Sequence, residues 1–197
     1  MTDPLDAVSP LDGRYAGRTA PLRDYASEAA LIRARVRVEV EYLIALADVD
    51  ATPLSLSETE RTDLRALYET FDDDDAAYVK RLETEGTEDH AATNHDVKAV
   101  EYFVRDRAAE AMGVGPWVHF ALTSEDVNNI AHRLLAKGAV TEVLLPAIRD
   151  LRDDLAAMAR EHRDVPMLAR THGQPATPTT FGKEMAVYAS RLGQTAA

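Results

Sequence analysis

Cysteine is missing from all 197 residues. That excludes disulfides, thiolate nucleophiles and soft-metal sites together. The six histidines show no H-E-x-x-H or comparable ligand spacing, so no metal and no cofactor is expected. No run of about 18 apolar residues is present to cross a bilayer. Met1 to Pro10 carries two aspartates and no basic charge, so no secretory leader is expected and the reading is a soluble, cytoplasmic protein. Lysine is scarce: only Lys80, Lys98, Lys137 and Lys183 stand among the 22 basic residues, against 34 acidic ones, for a net charge of −12. Nucleic acid is thereby excluded as a partner, because phosphate backbones are bound by clustered lysine and arginine. Any phosphate bound here belongs to a small ligand. The acidic, lysine-poor composition fits either a high-salt cytoplasm or an ordinary solvated face kept soluble by its charge.

What is present is a folded, helical pattern. Hydrophobic residues make up 46% of the chain, enough for a core. Residues 1–21, with three prolines and two glycines, read as an irregular arm. Beyond it Tyr25, Ala29, Ile32, Val36, Val40, Leu43 and Ala47 recur at steps of three and four, the period of one helix face. A second helix opens at the capping box formed by Ser57 and Glu60 and carries Leu64, Leu67, Tyr68 and Phe71. A short third one covers Ala76 to Leu82, and Gly86 to Thr93 reads as a loop. A fourth shows Val97, Val100, Val104, Ala108 and Ala111 on one side before Gly113, Gly115 and Pro116 stop it. From Ser124 to about His162 the period holds over a length of roughly 55–60 Å at ~1.5 Å per residue. Pro146 predicts a kink near Leu144. A last helix carries Phe181, Met185, Tyr188 and Leu192, and the sequence stops inside it. The expected fold is all-α, with a small N-terminal helical domain over 1–115 and the beginning of a long-helix bundle over 116–197. The bundle's apolar stripe lacks partners within the chain, so homo-oligomerisation and a longer natural polypeptide are expected.

Three polar clusters punctuate the helices. Thr93-Asn94-His95-Asp96 and Thr123-Ser124-Glu125-Asp126 stand at expected helix N-termini, where free N–H groups and the helix dipole favour anions. Thr171-His172-Gly173-Gln174-Pro175-Ala176-Thr177-Pro178 is expected to be a loop that restrains one imidazole with a glycine and two prolines. Thr93, Asp96, Thr123 and Ser124 also suit plain helix capping, and Gln174 can bond either a ligand or its own loop. An arginine such as Arg14, in the arm, suits an anion through its guanidinium fork and is equally at home in solvent.

Ser9-Pro-Leu-Asp-Gly-Arg-Tyr15, Thr93-Asn-His-Asp-Val-Lys-Ala-Val-Glu101, Thr123-Ser-Glu-Asp126 and Thr171 to Pro178 occur in the order found in the adenylosuccinate lyases. From residue 9 onward the chain resembles that family, which belongs to the fumarase and aspartase superfamily. The resemblance implies a mostly helical homotetramer with sites shared between subunits. It implies β-elimination of fumarate from adenylosuccinate, leaving AMP, and from the succinyl-carboxamide ribotide of purine synthesis. It assigns His172 the role of proton donor to the leaving amine. Arg14 and Tyr15 become the grip on the nucleotide phosphate. Asn94, His95, Asp96, Thr123, Ser124 and Thr171 become substrate contacts, with Lys98 and Gln174 as further candidates. The serine base is expected on a loop beyond residue 197, so the 197-residue chain alone is expected to be an inactive N-terminal portion. His90, His119, His132 and His162 match no motif and are read as structural. Argininosuccinate lyase, fumarase and a noncatalytic helical assembly module are the alternative readings.

Overall fold

The computed structural model describes residues 5–196, with the side chains of residues 109–112 outside that description, so the expected core position of Ala111 is not described. The chain is mostly helical and divides into two compact units, Met1–Lys137 and Gly138–Ala197.

The first unit is built around α1, Glu28–Leu46. Ser27 opens it: its backbone is extended, and its side chain accepts the Ala30 N–H at 3.1 Å. Tyr25, expected on the first turn, belongs instead to a separate four-residue turn, Arg23–Ala26, because the Ser27 cap interrupts the pattern. Along α1, Ile32, Val36, Val40 and Leu43 are buried as the three-and-four spacing requires. Ala30, Ala34 and Val38 are buried too, so more than one face of this helix is covered. One cluster joins Val36, Val40 and Leu43 to Leu64, Val79, Leu82, Val100 and Phe103. A second joins Ala34 and Val38 to Val97, Val127 and Ala131.

The surrounding helices are α2, Glu58–Glu69, α3, Asp73–Thr84, α4, Asp96–Met112, and α5, Ser124–Gly138. The capping box expected at Ser57 and Glu60 is formed, with Glu60 Oε2 accepting the Ser57 N–H at 2.7 Å. The aspartate run is a helix start: Asp72 accepts the N–H groups of Asp74 and Asp75, both at 3.0 Å, and Asp73 to Asp75 fill the electropositive first turn. The first turns of the long helix, assigned from the sequence to the second domain, pack into the first unit through Val127 and Ala131.

Helical backbone continues from Ser124 to Glu161 without a break. Where Pro146 predicts a kink, the backbone widens into a π turn over Ala139–Leu144, and the Leu145 N–H reaches back five residues to the Val140 carbonyl. Proline has no N–H for the Glu142 carbonyl and its ring crowds that group; the wider turn just before it relieves both. The second unit contains α6, Leu145–Glu161, a two-stranded antiparallel sheet of β1, Pro166–Thr171, and β2, Gln174–Thr180, and α7, Phe181–Thr195. The expected loop at Thr171 to Pro178 is therefore mostly strand. Its prolines argue against a sheet interior, but a two-stranded sheet has only edges. The register slips by one residue between Leu168 and Arg170, leaving an extra residue on β2. Gly182 is the one buried residue among those described in this unit, and Leu151, Met158 and Tyr188 of the helical stripes are exposed.

Candidate functional site

At the start of α4 the loop from α3 is tied down by the Thr93 N–H to the Leu82 carbonyl at 3.0 Å and the Asn94 N–H to the Glu83 carbonyl at 2.9 Å. Asn94 takes a left-handed backbone, φ +48°, which asparagine tolerates better than most residues. His95 follows as the helix cap, its Nδ1 accepting the Lys98 N–H at 3.3 Å. Asp96 opens the helix and accepts the Val97 N–H at 2.9 Å. Asn94, His95 and Asp96 line a cleft of about 320 Å³ together with Arg35, Glu28 and Glu83. Lys80 lies 2.8 Å from Glu28 and 2.7 Å from Glu83. Burial alone would raise the Asp96 carboxyl, but the Arg35 guanidinium and the Val97 N–H outweigh it and hold it below the ordinary carboxylate range. Lys98, a candidate electrostatic contributor, bonds both oxygens of buried Glu101 at 2.9 and 2.8 Å, and its ammonium lies 5.2 Å from the Tyr102 ring centre.

The second junction is entered through a distorted stretch in which His119 and Ala121 have φ of +60° and +58°. Tyr42 pins it by donating to the Phe120 carbonyl at 3.0 Å, and His119 Nδ1 lies 2.5 Å from Oε1 of buried Glu39. Thr123 then closes a reciprocal cap: Asp126 Oδ2 accepts its N–H at 2.7 Å and its hydroxyl at 2.8 Å, which lowers the Asp126 carboxyl. The hydroxyl of Thr123 thus donates to its own helix's Asp126, while the Asp126 N–H goes to the Thr123 carbonyl at 3.2 Å.

In the second unit His172 and Gly173 form the two-residue turn between β1 and β2, with φ of +50° and +75°. Positive φ at both central residues is the pattern of the tight type I′ hairpin, usually filled by asparagine or aspartate followed by glycine. A histidine there is strained, and strain held by surrounding structure collects at functional sites. Thr171, His172 and Gln174 are exposed at this tip. In the arm, the Arg14 guanidinium lies 5.3 Å from the Tyr15 ring centre, and both side chains are exposed.

Within the first unit Asn94, His95 and Asp96 share one cleft, and Arg35 links this group to the helix opened by Thr123 and Ser124. Thr171, His172 and Gln174 share the hairpin tip of the second unit, and Arg14 and Tyr15 lie together in the arm. Sequence reasoning missed Arg35, Glu39 and Asn128. Arg35 and Glu39 are two of the charged residues that alternate with apolar ones from Arg33 to Glu41, so neither stood apart from its charged neighbours, and Asn128 carried no signal. His90 is stacked 4.6 Å from Tyr102, with its Nε2 2.8 Å from Asp106.

The sequence pattern of a lyase family matches residues 13–196. Proteins named adenylosuccinate lyase are similar to the chain: that of Escherichia coli K12 is 45% identical over 194 residues and that of Dictyostelium discoideum 42% over 196 residues. Each alignment takes in 95% of this chain and 41% of the relative, so the chain spans about two fifths of their length. Among solved structures, a fumarate lyase from Mesorhizobium sp. BNC1 matches with a TM-score of 0.70 at 27% identity, over 90% of this chain and 38% of that one. A 3-carboxy-cis,cis-muconate lactonizing enzyme from Pseudomonas putida shares the fold, with a TM-score of 0.65 at 21% identity over 89% of this chain and 37% of that one.

Proposed function

The chain belongs to this lyase family, and from that premise we propose that the complete polypeptide cleaves adenylosuccinate to AMP and fumarate, and the succinyl-carboxamide ribotide to its carboxamide and fumarate. The observation that carries the reading is the strained, exposed His172 at the hairpin tip, inside the last of the four ordered motifs. Elimination of fumarate needs three things: a base for the proton beside a carboxylate, donors for the dianion that forms, and an acid for the departing nitrogen. His172 is the acid, since imidazole exchanges protons near working pH and a two-residue turn gives it few directions. Thr123 and Ser124, at the N-terminus of α5, hold a substrate carboxylate with the N–H groups of that helix end. Asn94, His95 and Asp96 contact the succinyl-nucleotide, with Lys98 and Gln174 in secondary roles, and Thr171 supports the tip. Arg14 and Tyr15 grip the phosphate. The base is a serine on a loop outside these 197 residues. The enzyme works without a cofactor, in the cytoplasm, as a homotetramer whose sites are shared between subunits.

The reading is tested by a pair of variants in the complete polypeptide. His172→Gln lowers turnover sharply and leaves substrate affinity within about tenfold, because an acid acts on the leaving nitrogen in the transition state. Arg14→Ala does the reverse, weakening affinity by about 1.5–3 kcal/mol, the scale of a charge-assisted hydrogen-bonded contact. Steady-state kinetics with adenylosuccinate, alongside thermal melts, check both. Equal kinetic defects tracking equal losses of stability would dismiss both roles.

A further inference from the structure

Arg35 is 6% exposed, in the middle of α1, and its guanidinium is shared between two distant helices. One nitrogen donates to Asp96 Oδ2 at 2.6 Å, and Nε donates to Asn128 Oδ1 at 2.9 Å. Asp96 opens α4 and Asn128 lies a turn inside α5, so a single fork from the core reaches both helices that begin at candidate substrate junctions. A buried guanidinium is tolerated only with such partners, and its planar geometry fixes where they sit.

That grip decides what His95 presents. With Oδ2 on Arg35 and Oδ1 on the Val97 N–H, the Asp96 carboxylate is tethered through both oxygens and cannot turn toward the ring. His95 Nδ1 lies 3.6 Å from Asp96 Oδ1, beyond hydrogen-bonding distance, and instead accepts the Lys98 N–H. A ring nitrogen that accepts an N–H carries no proton itself, so the proton of the neutral ring is on Nε2. The other acidic groups lining the cleft, Glu28 and Glu83, are engaged by Lys80 and do not compete for the ring.

We propose that Arg35 is a positioning residue: by holding the Asp96 carboxylate it leaves His95 Nδ1 to cap α4 and so fixes His95 as an Nε2–H donor toward a hydrogen-bond acceptor of the substrate. The substrate part rests on the reading of Asn94 to Asp96 as ligand contacts. Without the guanidinium, Asp96 is free to accept a hydrogen bond from a protonated Nδ1, the arrangement that carboxylates usually impose on imidazoles, and Nε2 becomes an acceptor. Arg35 thus selects a donor where a base would otherwise form.

Two-bond proton–nitrogen correlation spectra of histidine-labelled protein read the tautomer directly, at a pH where the ring is neutral. The expected result is the Nε2–H pattern for His95 in the wild type and in Arg35→Lys, and a several-fold rise of the Nδ1–H form in Arg35→Gln. Combining Arg35→Gln with Asp96→Ala restores Nε2–H, which loss of stability alone would not do. A wild-type His95 in the Nδ1–H form overturns the proposal even if Arg35→Gln fails to fold, and so does a folded Arg35→Gln with an unchanged tautomer. Adding fumarate and then AMP separates the two layers: if neither moves the His95 cross-peaks while the tautomers behave as expected, the ligand reading of the cleft falls and only the intramolecular selection by Arg35 stands.

Discussion

Glu39 is a buried carboxyl that His119 meets on one oxygen only. It is 1% exposed, and Oε2 has no hydrogen-bond partner among the described residues. Burial pushes its proton affinity up, the bond and charge of His119 pull it down, and nearby Glu101 adds to the upward push, leaving it raised. A carboxyl raised in the folded state contributes stability below its unfolded value of about 4.3 and loses that contribution as pH climbs through the folded value. Glutamine keeps an oxygen for His119 and drops the titration. The melting temperature of Glu39→Gln, relative to wild type, is therefore expected to rise from acid to neutral pH; a difference that is flat or falls would show that the ionised pair stabilises the fold. Such residues explain how much of the candidate site was legible. His172, His95 and the Thr123 junction stood out because each is a local motif beside glycine, proline or a helix start. Arg35 and Glu39 did not, since their partners lie 61 and 80 residues away and only packing introduces them.

At the scale of elements, Gly182 makes the sharpest prediction. It sits where α7 begins against the end of α6, its N–H bonded to the His162 carbonyl at 3.0 Å. A Cβ there would meet the Ala159 carbonyl oxygen, with Arg163 Cα at 2.6 Å and Arg163 N at 2.7 Å. These are backbone atoms that cannot swing aside, so Gly182→Ala is expected to destabilise the second unit by about 1–3 kcal/mol. Chemical denaturation of the two proteins measures it, and a change under a few tenths of a kcal/mol would mean that the helices slide apart freely. Helices were legible wherever the three-and-four spacing and a cap agreed, as at Ser57. Around Arg33 to Glu41 the sequence also alternates charged with apolar residues, a strand-like signature, and the helix prevails because neighbours cover it on several sides. The hairpin was unreadable because Pro175 and Pro178 mark irregular chain in any setting except an edge, and the one-residue bulge hides the alternation.

For the molecule as a whole, charge and core are distributed unevenly in their effects. With a net charge of −12, lowering salt lengthens the reach of carboxylate repulsion from about 3 Å at molar to about 30 Å at 10 mM ionic strength. If the acidic composition is tuned to high salt, helicity by circular dichroism declines between molar and millimolar potassium chloride; an unchanged spectrum assigns the charge to ordinary solubility. The loss is expected first in α6 and α7, whose unit buries Gly182 alone among its described residues, and last in α1, so amide exchange in α6 and α7 quickens before that of α1.

The same imbalance has a direction in time. A polypeptide emerges from the ribosome amino end first, and domains condense as units when their last contributing residue is out. Residues 5–137 hold a closed apolar interior, so this part has its full set of contacts while later residues are still being joined. The stripe that follows emerges with its apolar side chains still uncovered. During synthesis that stretch is the segment exposed to wrong partners, and the interval in which it stays uncovered is when a holding chaperone matters.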